Sequence, residues 1–150
     1  MVTRALVFVI LLVVTCLIAL KFIFGLDAGL KQLEADFRVA NQAETIEPML
    51  KLYYLEGSDD TGITLLKGAL QYELGLPIAD IQFEPLSKAP EETIQYTHNG
   101  TPYGPTLKPR YKMRVIYKGA ERFTSLYTIG KTDLGTWRFI AARPELTPNN

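Results

Sequence analysis

The pattern of apolar and polar positions changes character three times along the chain. Residues 5–20 (ALVFVILLVVTCLIAL) are uniformly apolar, and after Lys21 the run resumes as Phe22, Ile23, Phe24, Gly25 and Leu26. A helix rises about 1.5 Å per residue, so about 20 apolar residues cross a hydrocarbon core of about 30 Å. Residues 5–20 fall short of that alone. Continued to Leu26 the run is long enough, with Lys21 reaching its ammonium towards headgroups. We therefore expect residues 1–26 to be a single-pass transmembrane anchor. A cleaved signal peptide would need small residues before the cut, and Leu26-Asp27-Ala28 puts Leu there. A lipoprotein site at Cys16 fits poorly behind Val13-Val14-Thr15, because the apolar run continues past it. A buried N-terminal helix of a soluble protein is disfavoured, since this run has no polar face to offer water.

Helical periodicity comes next. Leu30, Leu33, Phe37 and Ala40 form one stripe, which ends at Glu44. A stalk pairing two chains into a homodimer needs three or four heptads, so an amphipathic helix docking on its own domain is the better expectation. A second helix is expected from Asn41 or Thr45, with Pro48 in its first turns, Ile46, Met49, Leu50 and Tyr53 facing inwards, and Gly57 ending it. Ser58-Asp59-Asp60 should cap a third, with Ile63, Leu66, Leu70 and Leu74 inside and Gly75 and Pro77 closing it.

From Ile78 the period becomes two. Ile81 and Phe83 alternate with Asp80, Gln82 and Glu84, and residues 93–98 lead into Asn99-Gly100, a strong hairpin signal. Three further strands should turn Tyr111, Met113, Val115 and Tyr117, then Phe123, Ser125, Tyr127 and Ile129, then Trp137, Phe139 and Ala141 to one side. Gly100-Thr101-Pro102-Tyr103-Gly104-Pro105 reads as a rigid loop and residues 144–150 as a flexible tail. The expected fold class is α+β: an N-terminal transmembrane helix, a juxtamembrane helix or linker at residues 27–44, and a domain at 45–143 with helices packed on a curved antiparallel β-sheet.

Composition narrows the function classes. The formal net charge is zero and Cys16 is the single cysteine, so the domain has neither disulfides nor a thiolate metal site. The zero conceals a balance of −8 over residues 27–92 and +6 over residues 93–150. Orientation signals conflict: Arg4 alone precedes the span and Lys21, Lys31 and Arg38 come after it, which argues for a cytoplasmic domain. Asp27, Glu34 and Asp36 offset those charges, and a short head before a single anchor commonly exports the rest of the chain, so we expect an exported, extracytoplasmic domain.

The closing strands, Ser125-Leu126-Tyr127-Thr128-Ile129-Gly130 followed by Gly135-Thr136-Trp137-Arg138-Phe139, and the order of elements from Thr45 to Arg143 resemble NTF2-like or cystatin-like domains. That resemblance implies a sheet wrapped around helices and, for membrane-anchored members, an assembly or scaffold role. Enzymes of the superfamily keep His, Asp or Tyr inside the cone, and no such set maps onto this chain position by position.

Signals of catalysis are sparse. His98 is the sole histidine and sits beside a turn, against a multi-imidazole metal site. Asp59-Asp60 reads as a helix cap rather than a cation site, and Asp80 and Glu84 stand about 13 Å apart, too far for a carboxylate pair. No P-loop, nucleophile elbow or dinucleotide fingerprint occurs. Two constellations remain. Lys108, Arg110, Lys112 and Arg114 alternate with apolar residues, and Arg122 and Arg138 should emerge on the same outer face, a surface for an envelope protein or an anionic lipid or polymer. The bland reading is a solvated sheet face. Tyr53, Tyr111, Tyr117 and Tyr127 should face inwards, either as core or as the lining of a pocket between helices and sheet. The expected function is thus a membrane-anchored binding or scaffold protein acting through the basic face, without cofactor or nucleic acid; the alternative is a small-ligand-binding protein or enzyme using the aromatic cavity.

Overall fold

The helical stripe at Leu30, Leu33, Phe37 and Ala40 is buried at all four positions. In the computed structural model, which describes residues 27–86, 94–119 and 123–145, these lie on α1 (Ala28–Asn41), which Asp27 opens by accepting the Gly29 N–H at 2.8 Å. The outward face carries a Glu34–Arg38 ion pair, N···O 2.8 Å. The chain divides into two compact units, Met1–Lys31 and Gln32–Asn150, and the sheets and the clefts belong to the second. The apolar run at residues 1–26 lies outside the described residues, and no helix among those described is long and apolar enough to cross a membrane.

The second helix is far shorter than its sequence pattern suggests. α2 spans only Glu47–Leu50, with Pro48 in its first turn and Met49 buried. Tyr53 and Tyr54 leave it to form β1 (Tyr53–Tyr54), paired parallel to β7 (Trp137–Ile140) in the register Tyr53↔Phe139 and Tyr54↔Ile140. The Phe139 N–H donates to the Leu52 carbonyl at 3.0 Å. Tertiary pairing with an aromatic strand overrides the local helical period here. α3 (Asp60–Glu73) agrees with expectation: Asp59 is the N-cap, accepting the Gly62 N–H at 2.8 Å, and Gly75 adopts φ +77° after its end.

Eight strands and three helices among the described residues make an α+β fold with a mixed sheet. The five-stranded sheet has the order β1-β7-β6-β5-β2, with β2 (Ile78–Pro85), β5 (Pro109–Tyr117) and β6 (Thr124–Lys131) antiparallel to their neighbours. β3 (Tyr96–His98), β4 (Thr101–Pro105) and β8 (Ala142–Pro144) form a second sheet. Two expectations are corrected there. The presumed rigid loop at 101–105 is strand β4, because the turn at Asn99 and Gly100 (φ +48° and +81°) folds it back on β3. Residues 142–144 are strand β8, paired to β4 at Gly104↔Arg143.

The core is aromatic. Phe37 of α1 meets Tyr127 and Phe139 edge-on at ring separations of 5.0 and 5.7 Å, and Tyr53 and Tyr127 each tilt against Phe139 at 5.3 and 5.0 Å. Each such buried ring is worth about 1.5–3 kcal/mol of transfer energy, so this cluster is the main tie between α1 and the sheet. The inner face of β5 buries Met113, Val115 and Tyr117, as the alternation predicts.

Candidate functional site

β7 meets β6 only over the pairs Ile129↔Phe139, Gly130↔Arg138 and Lys131↔Trp137. Beyond Ile140 the chain continues as β8 and takes β4 as its partner, while Ala141 exchanges hydrogen bonds with Thr106: its N–H donates to Thr106 Oγ1 at 3.1 Å and its carbonyl accepts the Thr106 N–H at 2.9 Å. A cleft of about 300 Å³ opens where the two strands part. One bank is Leu126, Tyr127 and Thr128 of β6; the other is Ile140, Ala141 and Ala142. Gly62, Leu65 and Leu66 of α3, with Ile94, Tyr96 and Tyr53, are its other described lining residues. Three of the six large apolar side chains exposed among the described residues, Leu65 (47%), Tyr96 (37%) and Leu126 (53%), lie on this one cleft. Two wider hollows exist, about 640 Å³ around Gly57, Gly104, Arg143 and Glu145 and about 400 Å³ around the β6–β7 turn. Apart from Leu134 at the turn, their described linings are glycines, prolines and charged or hydroxyl-bearing side chains, whereas ligand sites are mostly apolar with a few placed polar groups.

Glu73, the last residue of α3, forms a polar knot within the same unit. Its carboxylate accepts from Ser125 Oγ at 2.6 Å, from the Tyr117 hydroxyl at 2.9 Å and from the Tyr127 hydroxyl. The two tyrosine oxygens are 3.4 Å apart. The backbone of the helix end is held as well: Asn41, fully buried, donates its Nδ2 to the Glu73 carbonyl at 2.9 Å, and its own carbonyl accepts the Gly75 N–H at 2.7 Å. Burial pushes the Tyr53, Tyr117 and Tyr127 phenols far above the usual tyrosine range, and the Glu73 charge pushes all three the same way. Tyr127 belongs to both the knot and the cleft.

A second cluster caps the other end of α3. The Tyr103 hydroxyl donates to Asp59 Oδ2 at 2.7 Å and Tyr96 stacks on Tyr103 at 4.9 Å. The Gly62 N–H and then the Tyr103 hydroxyl hold the Asp59 carboxyl below its usual range. These are capping contacts. No group of three or more His, Cys, Asp or Glu among the described residues could hold a metal ion.

The four tyrosines separate. Tyr53 and Tyr127 line the cleft, and Tyr117 belongs to the knot. Tyr111, about 20 Å further along β5, packs edge-on against Trp137 at 5.5 Å and takes no part in either. Of the basic residues, Lys108 and Arg110 are exposed. Lys112 stands opposite Glu84 on β2, Arg114 makes an ion pair with Glu84 at 3.2 Å, and Arg138 donates to the Lys51 carbonyl at 3.2 Å. Arg122 lies outside the described residues. Sequence reasoning missed Glu73, Ser125 as its partner, and Leu65, Leu126 and Tyr96 as a cleft rim. The signal for Glu73 was present: it continues the Leu66–Leu70 stripe at i+7, an acid on an otherwise apolar helix face.

No family model matches the chain, and neither a curated protein nor a solved structure matches it.

Proposed function

We propose that this chain is a membrane-tethered binding protein, anchored through residues 1–26 with its domain on the extracytoplasmic side, which takes a small, mainly apolar ligand in the cleft between α3 and β6. The arrangement of helices over a curved sheet with a lateral cleft is read as NTF2-like. The observation that carries the reading is the convergence of Leu65, Tyr96 and Leu126 on the cleft that Tyr53 and Tyr127 also line. Exposed apolar groups scattered singly need no explanation, whereas a cluster around a concavity marks a contact site. Catalysis is not part of the proposal, since the oxygens of Glu73 are already taken by three hydroxyl donors.

Titration of the full chain in lipid nanodiscs with toluene tests it. Saturable shifts of the Leu126, Thr128 and Ala141 amide signals are expected, and Leu126→Asp should remove them. Shifts that never saturate, or that persist in Leu126→Asp, would sink the reading.

A second reading keeps the basic sheet face as a contact for an envelope protein or anionic lipid. It is favoured by Lys108 and Arg110, which are exposed and have no ionic partner among the described residues. The Lys108→Glu/Arg110→Glu double variant should lose binding to vesicles containing an anionic phospholipid; unchanged binding would remove this face from consideration.

A further inference from the structure

The cleft contains charge information that its apolar lining conceals. Tyr53 is one of its walls, and the Tyr53 hydroxyl has no hydrogen-bond partner among the described residues. The neighbouring hydroxyls of Tyr117 and Tyr127 are committed to Glu73. Tyr53 therefore holds the polar group left over when the knot is complete. Among the described residues only Trp137 Nε1 is both fully buried and unpartnered, so the Tyr53 hydroxyl stays within reach of water, and a ligand that displaces that water must supply the hydrogen bond in its place. Among the described lining residues there is no Lys, Arg or His to neutralise an anion. The Glu73 carboxylate, bonded to Tyr127 of the wall, raises the proton affinity of Tyr53 after the larger effect of burial, and Asp59 acts in the same direction on Tyr96. A negative group in that space would be desolvated and repelled together.

Resting on the ligand-binding reading above, we propose that the cleft selects uncharged ligands, an apolar ring or chain carrying one hydroxyl or carbonyl that pairs with Tyr53, and that Glu73 rejects carboxylates. Tyr53 is the specificity-determining contact, and Glu73 acts on charge from behind the wall through Tyr127. The discrimination is a difference between two affinities, produced by an unfavourable element as much as by a favourable one.

Benzyl alcohol and benzoate, matched in ring and size, test this on the full chain in nanodiscs at neutral pH, read by the Leu126, Thr128 and Ala141 amide signals. Benzyl alcohol is expected to bind about 10-fold or more tightly than benzoate, and Tyr53→Phe to weaken benzyl alcohol about 3- to 10-fold, the range of one hydrogen bond. Toluene should be indifferent to Tyr53→Phe. Glu73→Gln should narrow the gap between alcohol and carboxylate; where that variant does not fold, the comparison on the native chain decides alone. Benzoate binding within 2-fold of benzyl alcohol overturns the charge selectivity while leaving a ligand site in place. Absence of binding by toluene and both probes overturns the ligand reading itself.

Discussion

Removing the Glu73 side chain should be among the most damaging single changes to the domain. In Glu73→Ala three donors lose their acceptor: Ser125, Tyr117 and Tyr127. The two tyrosine hydroxyls are 3.4 Å apart and can satisfy one another once. Ser125, 8% exposed, and one phenol are then left over. Two stranded buried donors at about 1–3 kcal/mol each give about 2–6 kcal/mol, and partial exposure of Glu73 lets water soften that towards about 2–4 kcal/mol. Against a total stability of about 5–15 kcal/mol this is a large share, equivalent to about 10 °C in Tm. The single tryptophan, Trp137, offers a clean fluorescence readout of chemical denaturation, because it packs on Tyr111 in the sheet and reports loss of the sheet itself. Glu34→Ala is the control, since it removes an acid from an exposed i,i+4 pair worth at most about 0.5 kcal/mol. A Glu73→Ala loss below about 1 kcal/mol, or indistinguishable from that control, would refute the account. So would strict additivity with Tyr127→Phe, because partners in one network must couple.

Alkaline pH should act through the same knot. Tyr53, Tyr117 and Tyr127 are raised in the folded state, so the neutral phenols contribute stability that is complete below the unfolded value of about 10 and is lost as pH rises beyond it towards the folded values. Their phenolate absorbance should appear only together with unfolding, and a smooth titration in the intact fold would contradict the burial. Gly130→Ala should cost about 1–3 kcal/mol by overpacking, since an added Cβ would lie 2.8 Å from Leu107 Cβ and 2.9 Å from the Lys108 carbonyl oxygen; an unchanged denaturation midpoint would show that this strand crossing is looser than it looks. Asn41→Ala should cost about 1 kcal/mol, since the Glu73 carbonyl loses one of two donors and keeps the Leu76 N–H at 3.1 Å, and hydrogen exchange should rise first at Gly75, whose N–H rests on the Asn41 backbone. Exchange unchanged at Gly75 would separate the two halves of that clamp.

The fold was legible where the signal is local. Alternation gave β5 and β6 their buried faces, and the Asp59 cap, Gly75 and Asn99-Gly100 marked ends and turns correctly, because each depends on the conformation of one or two residues. It failed where the decisive bond is distant. Tyr53 and Tyr54 sit in a helical pattern locally, yet they pair with Phe139 and Ile140 some 86 positions away. Pro102 and Pro105 looked like loop formers, yet β4 lies between β3 and β8, with the Pro102 carbonyl accepting the Glu145 N–H at 2.8 Å. A proline forfeits its donor and keeps its acceptor, so it excludes only one side of a strand from the ladder.

The candidate site divides along the same line, and the division explains why the basic face and the cleft exchange prominence. Period two states which way a side chain points and nothing about what stands beside it. Lys112 and Arg114 do alternate with the buried residues of β5, but the β2–β5 register brings Glu84 against both, so two cations of the expected patch face a carboxylate contributed from 28 and 30 positions earlier. The inward tyrosines carry the converse lesson. Tyr111 and Tyr117 share a face and a strand, yet six residues of strand send one to Trp137 and the other to Glu73. What converts tyrosines on a face into a candidate site is the acid at the end of α3 and the parting of β7 from β6. Both arise from long-range pairing, and the first alone left a local trace, a glutamate on the apolar stripe of α3. An acid in that position needs donors from the opposing layer, and Ser125, Tyr117 and Tyr127 are hydroxyl-bearing residues on the inner faces of two adjacent strands. Matching stripe acids on a helix to inward hydroxyls on a sheet is therefore a rule that this chain satisfies and that sequence reading can apply before any pairing is known.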